Sequence, residues 1–319
     1  MSEALRRRIE GHLLGVAVGD ALGLGVEGLP PRRDRVLRYA LVAGVGVVSD
    51  DTEQTALVAA ALCRRTEGDD AVVRAFRRGL LGWFLRLPFG VGFATLRACS
   101  RLALGLSRSG VPSAGNGSAM RAGVVGLMVE DPVRRRLLST RLAEVTHTHA
   151  DAIAAACFVA DVAAGAVDPV ASVPPGLLRD RLERASAAAA AGMSVGEAAT
   201  ALGTSGWVVE SVPFAWWCLC RFGPTFAAIE AAVAAGGDTD SNAAIVGGWV
   251  GAAAPDQIPS AWVDGLARGP FGATHLRALA SALAEGRPAP SYAWWAALAR
   301  NVALFPVVLW VVATRRLWA

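Results

Sequence analysis

Apolar and small residues recur along this chain at helical spacing, and runs alternating every second residue are scarce. The pattern therefore predicts helices almost throughout. A first helix is expected from residue 5 to about 23, its glycines and alanines permitting close packing. Pro30-Pro31 and the arginines after them predict a loop. Asp50 and Asp51 precede a buried helix over residues 55–63, with Ser49 or Asp50 placed to cap it. Residues 76–87 read as an amphipathic helix broken by Pro88-Phe89-Gly90. A Gly/Ser/Pro loop over residues 107–117 leads into an apolar helix over 120–129, and Asp131-Pro132 opens the next, running to about 145. Further helices are expected from near Asp151, over 179–191 after a loop with three prolines, and over 227–235. No break in composition divides the body. The one boundary expected lies near Arg287-Pro288-Ala289-Pro290, giving a helical domain over 1–286 and an apolar C-terminal helical extension over 287–319.

Composition narrows the class. A chain of 319 residues, 54% hydrophobic and 18% charged, excludes disorder and favours a compact Ala/Gly-rich helical body with a substantial core. All 31 basic residues are arginine, which removes lysine Schiff-base chemistry and any P-loop lysine. The net charge of +4 is mild and its arginines are interspersed with acids, so nucleic-acid binding is not indicated. Cys63, Cys99, Cys157, Cys218 and Cys220 sit in apolar helical contexts. They are expected to be buried free thiols of a reducing compartment, which points to the cytoplasm. Cys218-Leu219-Cys220 has no second cysteine pair or histidine to complete a zinc site. The charged first ten residues, and the interruption of the next stretch by Asp20 and glycines, predict no signal peptide.

The far end differs. Between Ser291 and Thr314 the one charge is Arg300, and Pro306 sits inside the run. The uninterrupted apolar part is shorter than the roughly 20 residues a spanning helix needs. With Trp294, Trp295, Phe305, Trp310 and Trp318 it is expected to pack on the body or a partner chain rather than to enter a membrane.

Candidate chemistry concentrates at two acid-rich helix entrances far apart in the chain, Ser49-Asp50-Asp51-Thr52 and Asp238-Thr239-Asp240-Ser241. Each alone is ordinary capping chemistry, satisfying free N–H groups and the positive helix end. Together they offer only oxygen donors, which suit magnesium and not zinc. Four carboxylates brought together without a cation would repel one another, so convergence implies metal. A terpenoid synthase would need a third acid four residues after the first, where Gln54 stands. A haloacid-dehalogenase-type phosphohydrolase would need a strand before Asp238, where a helical run stands. Gly115-Asn116-Gly117-Ser118-Ala119-Met120-Arg121 is a glycine-rich turn into a helix, suited either to a phosphate or to a plain left-handed turn. Thr146-His147-Thr148-His149 holds two of the four histidines. Trp207, Trp216 and Trp217 are expected in the core.

Taken in order, these blocks resemble the ADP-ribosylglycohydrolase superfamily, which includes dinitrogen reductase-activating glycohydrolase and the ADP-ribosyl-acceptor hydrolases. The resemblance runs from Gly11 to about Leu266. It rests on Gly15-Val-Ala-Val-Gly-Asp-Ala-Leu-Gly23 leading to Glu27, on Ser49 to Thr52, on Gly115 to Arg121, on Thr146-His147, and on Gly236-Gly-Asp-Thr-Asp-Ser241. The tail from Arg300-Asn301 through Arg316 is similar to an extension of some bacterial relatives. The resemblance implies an all-α, compact orthogonal helical bundle with a central cleft for two Mg²⁺ ions, Mn²⁺ being a substitute. It implies Ser49, Asp50, Asp51, Asp238, Asp240 and Ser241 as metal ligands, serine standing at two positions where many relatives have threonine. It places Glu27 near the metals and the scissile ribose, with Glu27, Asp51 and Asp240 as candidates for proton transfer and charge stabilisation. Gly115, Asn116, Gly117 and Ser118 would face the diphosphate and distal ribose, and Met120, His147, Gly236 and Gly237 would line the ADP-ribose site. The implied reaction frees ADP-ribose from an arginine, a serine or a small ADP-ribosyl compound through an oxocarbenium-like transition state. The alternative is a non-catalytic module that keeps the fold to bind ADP-ribose or a protein.

Overall fold

A computed structural model of the protein describes residues 3–31, 37–42 and 44–318. Arg32, Arg33 and Arg35, expected in a loop, lie outside the described residues. Fifteen α-helices follow in order: α1 (Glu3–Leu24), α2 (Asp50–Leu62), α3 (Asp69–Phe84), α4 (Phe93–Ala103), α5 (Gly123–Met128), α6 (Pro132–Ala143), α7 (Ala150–Ala164), α8 (Leu177–Ala190), α9 (Val195–Leu202), α10 (Val208–Phe222), α11 (Phe226–Ala234), α12 (Thr239–Ala253), α13 (Ser260–Asp264), α14 (Ala273–Glu285) and α15 (Trp294–Trp318). Among the described residues no strand forms, and extended pairing is limited to isolated bridges such as Val111–His147 and Gly115–Trp207. The chain is all-α, and its main hydrophobic cluster runs through the helices from α1 to α14.

The spine is an antiparallel pair, α1 against α12. Gly11, Gly15, Gly19 and Gly23 form one stripe of α1, because residues four apart share a helix face. A Cβ on Gly15 would lie 2.0 Å from the Gly247 carbonyl oxygen, and one on Gly19 2.0 Å from that of Ala243. The two backbones therefore touch without side chains between them. The C-terminal end of α1 consequently meets the start of α12, where the Thr239 hydroxyl donates to the Gly23 carbonyl (2.8 Å). In this way the spine carries the Asp238–Ser241 entrance to the residues just after α1.

Element edges shift from the expected ones for local reasons. Helix α2 begins at Asp50, earlier than residue 55, because Ser49 caps it by accepting the Asp51 N–H. Helix α6 opens on the expected Asp131-Pro132, with Asp131 accepting the Arg134 N–H. The apolar helix after the glycine turn starts at Gly123, since residues 116–118 form a short 3₁₀ turn first. Only Cys99 and Cys218 are buried; Cys63 and Cys157 are half-buried and Cys220 is exposed, though all five are free. Two residues turn a helix by about 200°, which takes Cys220 to the opposite side of α10 from Cys218. Trp217 is buried and Trp216 half-buried, but Trp207 is 42% exposed, because it caps α10 from outside rather than sitting on its core face.

Helix α15 has one docked face. Ala297, Asn301 and Val311 are buried, Asn301 donates to the Arg86 carbonyl (2.8 Å), and Val311 joins Leu24, Leu41, Val47 and Phe89 in a small cluster. The other face exposes Trp294, Trp295, Phe305 and Trp310. The window Trp294–Val311 is long and apolar enough to cross a membrane by length and composition, longer than the apolar run counted from the sequence.

One buried histidine makes the spine pH-sensitive. His12 on α1 sits 2.8 Å from the Gly248 carbonyl of α12, and burial pulls its pKa from 6.5 to about 4. Between those values the unfolded chain binds a proton that the folded chain does not, so this contribution falls as the pH falls. It is fully present above pH 6.5 and lost towards pH 4, a difference of roughly 3 kcal/mol. His12→Gln keeps an N–H donor without titrating. Urea unfolding at pH 7 and pH 5 is expected to show a larger acid loss in the wild type than in this variant; equal losses would contradict it.

Candidate active site

Three segments meet around a cleft of about 570 Å³ lined by Glu27, Asp50, Asp51, Asp238, Asp240 and Ser241, with the 113–120 and 205–206 segments opposite. Asp20, near the C-terminal end of α1, is the joint between two of them. Fully buried, it accepts the Ser49 N–H (2.9 Å), the Thr52 N–H (3.1 Å) and the Thr52 hydroxyl (2.5 Å). Burial raises its pKa to about 6 in spite of those donors. Asp20 thus anchors the start of α2 to the spine. The sequence signal for it is an acid inside an otherwise apolar helix.

The turn before α12 does the same for the other acids. Gly236 and Gly237 take left-handed φ values of 73° and 77°, and a Cβ on Gly237 would lie 2.3 Å from the Thr204 hydroxyl oxygen. Gly28 N–H donates to the Gly237 carbonyl (2.7 Å) and Gly237 N–H to the Leu29 carbonyl (3.2 Å). These bonds tie the residues after Glu27 to those before Asp238. Carboxylate oxygens of Glu27, Asp238 and Asp240 accordingly lie within 4.8 Å of one another.

The acids are crowded and incompletely satisfied. Asp50 accepts from Gln54 Nε2 (2.9 Å), Asp51 Oδ2 from the Ser241 hydroxyl (3.3 Å), and Asp238 Oδ2 from Asn116 Nδ2 (2.7 Å). Asp51 Oδ1 and Asp240 Oδ1 are buried with no hydrogen-bond partner among the described residues. Burial first, then neighbouring carboxylates, push the Asp50, Asp51 and Asp240 carboxyls well above the usual range. Buried, unpartnered carboxylate oxygens at two helix entrances that line one cleft are a donor set that fits hard divalent cations.

Across the cleft, Gly115 and Gly117 lie against the His147 ring; a Cβ on Gly117 would sit 3.0 Å from its Cε1. His147 Nδ1 is 2.8 Å from the Thr146 hydroxyl, which in turn accepts from Arg121 Nη2 (2.6 Å). Burial, then the Arg121 cation, lower the His147 pKa to about 3, so its imidazole is neutral at pH 7. Arg121 is itself buried and also donates to Gln54 Oε1 (2.8 Å) and to the Gly117 carbonyl. One chain of hydrogen bonds therefore runs from Asp50 through Gln54 and Arg121 to His147.

Not every expected residue reaches the cleft. Glu27, Asp50, Asp51, Gly115, Asn116, Gly117, Met120, His147, Gly237, Asp238, Asp240 and Ser241 line it. Ser49 lies behind them, its hydroxyl donating to Asp51 (3.3 Å). Ser118 turns away and donates to the Ala152 carbonyl (3.0 Å), because the 3₁₀ turn directs it to α7. Gly236 packs instead against the carbonyl of Leu29, from which a Cβ would be 2.5 Å. The wall formed by Gly90, Gly92, Phe93, Ala94 and Thr95, and the Ser205-Gly206 pair, were not anticipated. Pro88-Phe89-Gly90 reads locally as a helix breaker, and nothing local tells which surface it faces.

Residues 1–292 match the family described as ADP-ribosylglycohydrolase. The chain is 31% identical over 291 residues to an uncharacterized protein of Archaeoglobus fulgidus, covering 82% of this chain and 92% of that one. It is 29% identical over 308 residues to ADP-ribosylarginine hydrolase Tri1 of Pseudomonas putida, covering 88% of this chain and 79% of that protein. Its fold superposes with a TM-score of 0.67 on a solved ADP-ribosylglycohydrolase-related protein complex, at 28% identity, over 89% of this chain and 99% of that chain.

Proposed function

The chain belongs to the ADP-ribosylglycohydrolase family, and from that premise we propose that it uses magnesium to free ADP-ribose from a modified acceptor. The observation that carries the magnesium reading is the convergence of Asp51 and Asp240, each with a buried and unpartnered oxygen, beside Glu27 and Asp238. Asp50, Asp51, Asp238, Asp240 and the hydroxyl of Ser241 would hold the ions, with Ser49 behind them supporting Asp51 and manganese as a substitute. A bound divalent cation supplies Lewis acidity and fixed positive charge beside an oxygen-rich sugar. ADP-ribosylarginine heads the candidate acceptors, because the chain is similar over most of its length to an ADP-ribosylarginine hydrolase; serine linkages and small ADP-ribosyl compounds come next.

The residues assign themselves roles by chemistry. The carboxylates at the cleft floor stabilise positive charge as the glycosidic bond opens. Glu27, half-buried beside Asp238 and Asp240, would take a proton from the attacking water, a role its position in the acid cluster supports. Neutral His147 offers a hydrogen bond without adding charge, and the Gly115–Gly117 backbone leaves room for phosphate oxygens. Glu27→Gln keeps shape and loses the base. It is expected to bind ADP-ribose with near wild-type affinity and to lower kcat by at least about 100-fold. Titration of ADP-ribose and assay of ADP-ribosylarginine hydrolysis, with magnesium and with EDTA, test this. Near-normal turnover by the variant removes Glu27 from that role. Activity insensitive to EDTA removes the metal, and tight binding with no hydrolysis by the wild type turns the reading to a binding module.

A further inference from the structure

The C-terminal helix α15 begins beyond the family-matched residues 1–292, yet one of its side chains reaches the back of the acidic cleft. Arg300 donates through Nη2 to the Val48 carbonyl (3.2 Å) and to Glu53 Oε1 (2.5 Å), and through Nη1 to the Pro270 carbonyl (3.3 Å). Its side chain is 15% exposed and that of Glu53 3% exposed. Val48 immediately precedes the cap residue Ser49, and Glu53 lies one turn into α2. The guanidinium therefore bridges the Val48 backbone carbonyl and the Glu53 side chain, which flank Ser49-Asp50-Asp51 in the chain. It also lies 5.8 Å over the Phe89 ring, next to Gly90, where a Cβ would stand 3.2 Å from Asp50 Oδ1. Asn301 holds the same segment through the Arg86 carbonyl.

We propose that Arg300 is a positioning residue: it fixes the entrance of α2, and with it the Asp50 and Asp51 carboxylates, from a helix outside the family-matched part of the chain. The reasoning is electrostatic and geometric together. Glu53 is a buried carboxylate directly behind carboxylates that already repel one another. Without Arg300 its remaining side-chain partner is the Trp83 indole N–H at 2.5 Å, and a buried charge robbed of its ion partner moves or drags its helix. The planar fork of arginine reaches Val48 and Glu53 through Nη2 and the Pro270 carbonyl through Nη1, and a lysine ammonium lacks that second arm. For the metal the inference rests on the proposed magnesium site; for the backbone it does not.

The test uses the full chain and the variants Arg300→Met and Arg300→Lys. Hydrogen exchange is followed in metal-free protein, and magnesium chloride is titrated calorimetrically. In Arg300→Met the amides over residues 48–56 are expected to exchange at least tenfold faster while those of α8 stay unchanged. The magnesium dissociation constant is expected to rise about tenfold. Arg300→Lys, keeping a cation for Glu53 but not the fork, falls between, and it carries the test alone if Arg300→Met does not fold. Wild-type exchange over 48–56, or acceleration shared equally by α8, overturns the proposal. Absence of magnesium binding in the wild type defeats the proposed function instead, and the exchange result then decides the role of Arg300.

Discussion

Asp240→Asn is expected to lower turnover severely while making the metal-free protein more resistant to heat. Asp240 is 7% exposed, its Oδ1 has no partner, and burial and the charges of Glu27, Asp238 and Asp51 all oppose its ionisation. Asparagine has nearly the same shape and removes one negative charge from that crowd. Relief of repulsion raises the melting temperature in the absence of metal. The same change deletes a charged ligand of the proposed magnesium site. With the proposed magnesium site, wild-type protein should be stabilised by magnesium through mass action, in proportion to the logarithm of the ratio of its concentration to the dissociation constant. The variant should show little or none of that shift. Loss of a preorganised charge at the reacting sugar should lower kcat about a thousandfold, or about 4 kcal/mol. Melting curves with and without magnesium, beside single-turnover rates, read all three effects. A variant that melts below wild type in EDTA, or keeps the wild-type magnesium shift, contradicts the shared metal centre.

Gly15→Ala is expected to destabilise this chain severely, as any methyl group added along the contact of the two spine helices should. The added Cβ would stand 2.0 Å from the Gly247 carbonyl oxygen, a backbone atom that no rotamer change can remove. The helices must part, and the parting strains the Asp20 bonds to Ser49 and Thr52 and the Thr239 bond to Gly23. Ordinary overpacking costs about 1–3 kcal/mol, and a clash between two backbones should exceed about 4 kcal/mol. Gly79 in α3 is the control. There a Cβ would meet only Leu57 Cδ2, at 3.4 Å. Gly79→Ala should stabilise by about 0.4–1 kcal/mol, because it reduces the freedom of the unfolded chain. Urea midpoints of the two variants test the contrast. A Gly15→Ala protein within about 1 kcal/mol of wild type would mean that the pair can separate at little cost.

Local signals in the sequence were strong where the physics is local. Helical periodicity marked the class of the fold. Ser49 before α2 and Asp131-Pro132 before α6 were legible because capping joins residues at most a few positions apart. Oxygen-only chemistry at two helix entrances was legible because residue type alone sets ligand hardness. The five blocks, from Gly15–Gly23 to Gly236–Ser241, were enough to identify the family.

What faces what was decided by the tertiary structure. Glycines at four-residue spacing permit a backbone contact but do not name the partner, so the pairing of α1 with α12 appears only in the fold. It is this pairing that brings Glu27 to Asp238 and Asp240, a closeness that the resemblance alone had implied. Asp20 looked like an interruption of an apolar helix and proved to hold the start of α2. Ser118 and Gly236 stand in the right blocks, yet a 3₁₀ turn and a close carbonyl turn them from the cleft. Arg300, the one charge in an apolar run, is half-buried against Glu53. Sequence determines which residues can cap, coordinate or pack, because those capacities belong to single side chains and their neighbours in the chain. Direction across the molecule does not, because it is set by contacts between segments that the chain keeps far apart.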